Sequence, residues 1–233
     1  YNGVMLSPND SHRLIEDVKA LEQAGIPFIV VDTPLIEMEG DLKFTHSCGF
    51  VGTDNIKVGE FAARYFASQL SHGNIILVRG NPSHRSSIDR ENGFLKEISK
   101  YKELHLLTIL TGMWEQEMAV RELSKYLKTT KTKIDAIFSV SDPVAIAISK
   151  YFDDKATTKR PLIVGVDGVS LGQKAILEGK IDATIVQAPE AMAEYALHGL
   201  TECILTKNYD DKKILTPVSL LKSNRTLEIV TNP

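Results

Sequence analysis

Short apolar runs alternate along this chain with longer stretches in which apolar residues recur every three or four positions. The first pattern predicts buried strands and the second amphipathic helices. Tyr1–Leu6 reads as a strand, and His12–Ala24 as a helix carrying Leu14, Ile15, Val18 and Leu21 on one face, stopped by Gly25. Pro27–Val31 is a strand, and Phe50-Val51 is the apolar end of another. A helix over Ile56–Leu70 precedes a strand at Asn74–Val78. The pattern continues with a helix at Ser87–Lys100, a strand at Leu106–Leu110 and a helix at Gln116–Lys128. It then gives strand Ile134–Val140, helix Pro143–Tyr151, strand Pro161–Val166, helix Ser170–Glu178, strand Ala183–Val186 and helix Pro189–Leu205. An extended segment, Thr216–Lys222, and a polar end close the chain.

Strand-helix-strand repetition with short connections predicts an α/β protein with parallel sheets covered by helices on both faces. Unbroken apolar strands such as Phe28–Val31 and Ile75–Val78 support burial from both sides. The 233 residues fit one large or two small domains. A net charge of −3 carries no clustered basic excess, so no nucleic-acid partner is expected. No apolar run approaches the ~20 residues that span a bilayer. The first residue, Tyr1, is not Met, which reads as a processed product or as numbering that begins inside a longer chain. Cys48 and Cys203 are the only cysteines, and a fold of this size needs no disulfide, so free thiols are expected.

Enzyme chemistry finds little support. There is no Gly-x-Ser-x-Gly, no Gly-rich phosphate loop and no His-Glu-x-x-His. The six histidines, His12, His46, His72, His84, His105 and His198, lack metal-ligand spacing. No cofactor is expected. Instead, polar residues collect at the ends of apolar runs: Gly52-Thr53-Asp54-Asn55, Val164-Gly165-Val166-Asp167-Gly168 and Ile185-Val186-Gln187-Ala188-Pro189. A fourth group, Asp89-Arg90-Glu91-Asn92-Gly93-Phe94, opens a helix. Ligands of open α/β sheets bind at the carboxyl ends of strands. Two acids, a guanidinium and an amide suit a neutral, hydroxyl-rich molecule, because carboxylates accept from hydroxyls while Arg and Gln donate.

These groups, in this order, resemble the type I periplasmic binding proteins, and in particular their ribose-binding branch. Asp135–Asp142 resembles that family's strand and polar loop, and Gly179-Lys-Ile-Asp-Ala-Thr-Ile-Val-Gln-Ala-Pro189 is the most distinctive stretch. The resemblance implies two Rossmann-like lobes with parallel sheets, joined by a three-strand hinge, with ligand in the cleft. One lobe would hold residues 1–69 plus 188–217, and the other 70–187 plus 218–233. It further implies that two βα units, roughly 50–60 residues at ~30 per unit, precede a strand like Asn2–Ser7 in relatives and are absent here. Asp54, Arg90, Asp167 and Gln187 would bind ligand. Each has a plainer alternative: a helix N-cap for Asp54, an exposed salt bridge for Arg90, a turn for Asp167 and a polar hinge for Gln187. Asp89 and Glu91 would face solvent. Ser141 and Ser7 stand where the ribose branch carries Asn, which argues against ribose itself. Trp114 would stack on a sugar face or pack its own loop. The implied function is capture of a monosaccharide or polyol in the periplasm, by a monomer, for an ABC transporter permease. A membrane sensor's ligand domain and the effector domain of a cytoplasmic repressor share the pattern.

Overall fold

The computed structural model describes residues 1–35, 44–155, 160–210, 212–223 and 227–230. In chain order its elements are β1 (Val4–Leu6), α1 (Ile15–Gln23), β2 (Phe28–Val31), β3 (Ser47–Thr53), α2 (Asn55–Gln69) and β4 (Gly73–Arg79). Next come α3 (Arg85–Ile98), β5 (Leu104–Thr111), α4 (Gln116–Thr129), β6 (Ala136–Ser139), α5 (Asp142–Asp154) and β7 (Leu162–Asp167). The remainder is α6 (Ser170–Leu177), β8 (Ala183–Val186), α7 (Pro189–Thr206), β9 (Lys213–Thr216), β10 (Ser219–Ser223) and β11 (Leu227–Val230). They form two compact units. Unit 1 comprises Tyr1–Asp54, Ser83–Ser86 and Ala188–Pro217; unit 2 comprises Asn55–Pro82, Ser87–Gln187 and Val218–Pro233.

Unit 1 is a parallel sheet in the order β1-β2-β3-β9. Alternation on β2 sends Phe28 and Val30 to a cluster with Val18 of α1, and Ile29 to the opposite face against α7. The pairing of β2 with β3 slips by one residue, from Phe28↔Ser47 to Val30↔Phe50. The extra residue falls beside Gly49, whose φ of 98° is open to glycine. The bulge reverses the parity of β3. Cys48 therefore lies on the α7 face with Val51, while Phe50 points to the α1 face. From there Cys48 bonds Cys203 of α7 in a disulfide. The expected free thiols are corrected: facing, not spacing, brought the sulfurs together.

In unit 2 seven strands run β11-β10-β8-β7-β6-β4-β5. The five from β8 to β5 are mutually parallel, β10 runs antiparallel to β8, and β11 runs antiparallel to β10. Ile75 and Leu77 face α2 and α3; Ile76 and Val78 face α4 and α5. The change of unit comes at Asp54/Asn55, ahead of α2, not after Gln69 as the family resemblance implied. Val58, Phe61, Ala62 and Phe66 explain the shift, because they bury α2 in the unit 2 core with Ile75, Phe94 and Phe138. The extended tail is broken at Pro217 into β9 of unit 1 and β10 of unit 2, and the expected polar end contains β11, paired with β10.

Two glycines set how closely α2 and α3 approach. A methyl on Gly59 would overlap the Arg90 carbonyl and the Phe94 amide, and one on Gly93 would overlap the Ile56 carbonyl. All three obstacles are backbone, which cannot swing aside. Gly93→Ala is therefore expected to destabilise the protein by roughly 1–3 kcal/mol, despite alanine's better helix propensity. A urea titration with an unchanged midpoint would refute that close packing.

Candidate functional site

The parallel strands of unit 2 end on one edge, and each end supplies a residue. Gln187 follows β8, Asp167 closes β7, Ser141 follows β6, Gly80 follows β4 and Trp114 follows β5. The chain leaves β4 through α3 toward β5 on one side, whereas β6, β7 and β8 build outward on the other. A crevice at the carboxyl ends is expected where the strand order reverses in this way.

Arg90 lies at that reversal. The exposed salt bridge allowed by its acidic neighbours is not what forms: Arg90 is 4% exposed. Its Nε donates to Asn55 Oδ1 at 2.8 Å and its Nη1 to the Val140 carbonyl, just past β6, at 2.8 Å. The planar fork of a guanidinium suits ligand oxygens. Glu91 is not simply solvent-facing either; it is partly buried and paired with Arg79 at 3.2 Å.

Asp167 adopts φ 114°, and the following Gly168 φ 73°. A non-glycine residue in this region is strained by ~1–3 kcal/mol and persists only where its surroundings enforce it. Gln187 Nε2 donates to Asp167 Oδ1 at 2.7 Å, so the two residues act as one acceptor-donor unit. Ser141 is the N-cap residue of α5 yet makes no capping bond, and its hydroxyl is buried without a hydrogen-bond partner. Among the described residues the other side-chain atom in that state is Ser87 Oγ, three residues before Arg90 and so on the same helical face. Buried polar atoms are nearly always satisfied, and exceptions in native proteins call for an explanation.

The Trp114 indole lies over the Gly80 backbone, where a methyl would overlap its ring. Left-handed Met113 and Trp114, φ 55° and 58°, turn it there. Ser7 and Asp54 belong to unit 1: Ser7 is exposed just after β1, and Asp54, partly buried, follows β3.

Beneath Asp167 lies a carboxylate that the sequence reading passed over. Asp142, the first residue of α5, is fully buried. Burial pushes its carboxyl up to about 7, the Asp167 charge adds to the rise, and bonds from Thr184 and the Gly168 and Val169 amides oppose it. The only local hint was Asp before Pro143 at a helix start. Ser87 had a weaker one, a serine pair ahead of Arg90. Among the described residues no group of three or more His, Cys, Asp or Glu could hold a metal ion, and no helix is long and apolar enough to cross a membrane.

Residues 1–204 match the model of the periplasmic binding protein domain. The chain belongs to this family. The D-allose-binding periplasmic protein of Escherichia coli K12 is 26% identical over 192 residues, which are 81% of this chain and 61% of the relative. A ribose import binding protein of Salmonella typhimurium is 26% identical over 188 residues, 80% of this chain and 60% of the relative. The chain thus spans about three fifths of the length of these curated relatives. A crystal structure of an ABC transporter periplasmic solute-binding protein from Actinobacillus succinogenes with bound D-allose superposes with a TM-score of 0.85. It is 24% identical, and the match covers 96% of this chain and 78% of that one. The type I periplasmic binding protein fold follows, and the relatives are binding proteins rather than enzymes.

Proposed function

We propose that this periplasmic binding protein captures a monosaccharide or similar polyol and hands it, as a monomer in the periplasm, to an ABC transporter permease. The observation that carries the reading is the set at the strand ends of unit 2. Asp167 and Gln187 are joined at 2.7 Å, Arg90 is buried at the strand reversal, and Ser141 and Ser87 hold buried hydroxyls without partners. A polyol offers what this set uses: hydroxyl donors for Asp167, and oxygens for Arg90, Gln187 and the serines. The names of relatives, D-allose-binding and ribose import among them, point the same way. Trp114 offers a ring face for sugar C–H groups. In unit 1, Asp54 and Ser7 stay candidates through the family resemblance.

The Cys48–Cys203 disulfide favours an oxidising compartment and so disfavours the cytoplasmic repressor reading. The test is calorimetry, with Trp114 fluorescence in parallel, against D-allose, D-ribose and xylitol. Saturable binding of at least one, with micromolar or tighter Kd, is expected. A folded protein that binds none of them would overturn the proposal.

A further inference from the structure

We infer that Asp142 is a positioning residue for the proposed ligand site: its buried carboxylate holds the Asp167–Gly168 turn in the left-handed form that presents the Asp167 side chain. The inference rests on Asp167 being the ligand acceptor. A carboxylate at the start of a helix commonly serves that helix's own amides, but Asp142 does otherwise. Its Oδ2 accepts from the Gly168 and Val169 amides at 2.9 and 3.2 Å, and its Oδ1 accepts from the Thr184 hydroxyl at 2.6 Å. All three partners lie on other elements. Asp167 and Gly168 both adopt positive φ, and the two amides that follow, of Gly168 and Val169, converge on one Asp142 oxygen.

Room for the carboxylate is built in. A methyl on Gly165 of β7 would overlap Asp142 Oδ1, and one on Gly172 of α6 would overlap Oδ2. The turn is held from its other side as well, where Gln173 Nε2 donates to the Gly168 carbonyl at 2.9 Å. Around the carboxylate, β8 contributes Thr184, α6 contributes Gly172, and β7 contributes Gly165 and the charged Asp167. A carboxyl titrating near neutrality should therefore be reported by the two amides it binds.

Two measurements test this without any ligand. In the unaltered protein, the Gly168 and Val169 amide resonances should shift with a midpoint near pH 7, and in Asp142→Asn that step should vanish. Amide exchange at Gly168 and Val169 should accelerate at least tenfold in Asp142→Ala. It should stay within threefold in Asp142→Asn, whose amide can still accept from both N–H groups. Unchanged exchange in Asp142→Ala would overturn the inference. If Asp142→Ala unfolds unit 2 as a whole, the titration decides, and absence of the step in the unaltered protein overturns it. A third arm uses D-allose. Asp142→Ala should lower its affinity at least tenfold, but less than twofold in an Asp167→Asn background, and equal losses in both would count against positioning. Should D-allose, D-ribose and xylitol all fail to bind, the functional proposal falls while the amide measurements still judge Asp142.

Discussion

Asp167→Ala is expected to lower sugar affinity by about two to three orders of magnitude while leaving the protein folded. Hydrogen bonds to a charged group are worth ~1.5–3 kcal/mol each, and each ~1.4 kcal/mol is tenfold in affinity. A carboxylate accepting two ligand hydroxyls therefore accounts for the loss. The Gln187 amide, which donates to Asp167 Oδ1 at 2.7 Å, would also lose its acceptor. Backbone and chemistry must be separated, because Asp167 sits at φ 114°. Asp167→Gly relieves that strain and should bind as poorly as Asp167→Ala, with equal or greater stability. Asp167→Asn keeps the shape and one acceptor oxygen and should fall between. Calorimetry with the tightest sugar of the panel, alongside urea melts, gives both readouts. Affinity within threefold of the unaltered protein in Asp167→Ala would remove Asp167 from the site.

The second large effect concerns unit 1. Replacing both Cys48 and Cys203 by Ala is expected to cost up to ~5 kcal/mol, because the cross-link spans a sequence separation of 155 and chain-entropy stabilisation grows with loop length. The loss should be local. Amide protection should drop on β3 and α7, which the bond ties together, while the β4 to β8 amides of unit 2 hold theirs. Reduction by dithiothreitol should reproduce the double variant. An unchanged urea midpoint after verified reduction would show that burial of Ile29, Val51, Met192 and Leu200 among β2, β3 and α7 suffices alone.

Much of the architecture is legible because it is local. Ile75–Val78 reads as a strand buried on both faces, and the structure places alternate residues in two separate clusters. Asp167 and Gln187 stand out because a polar residue ends an apolar run, and the structure sets them side by side. What escaped reading depends on partners remote in sequence. Amphipathic α2 declares that it has a buried face, not which sheet will cover it. The facing of Cys48 turns on a bulge at Gly49, and no alternation rule anticipates a reversal of parity there. Asp142 resembles any acid at a helix start, because Gly168, Val169 and Thr184 are brought to it only by the sheet. Arg90 reads as a cleft residue from the family resemblance, and its bonds to Asn55 and Val140, remote in sequence, are not legible in its acidic neighbours.

The strand order has a kinetic consequence. Unit 1 is discontinuous: β3 must pair with β9, Phe50 beside Lys213, across the whole central segment of unit 2. Its contact order is high, and contacts so distant along a chain form slowly, since the ordering entropy is spent before they return anything. The parallel strands of unit 2, by contrast, come from one continuous stretch, β4 to β8, each linked to the next by a helix. That stretch can assemble early, and the sheet of unit 1 is then the last to close. The half-made state would leave β3 with an open edge where β9 belongs, a strand that another chain could pair with. In this protein, aggregation during refolding should therefore begin at β3.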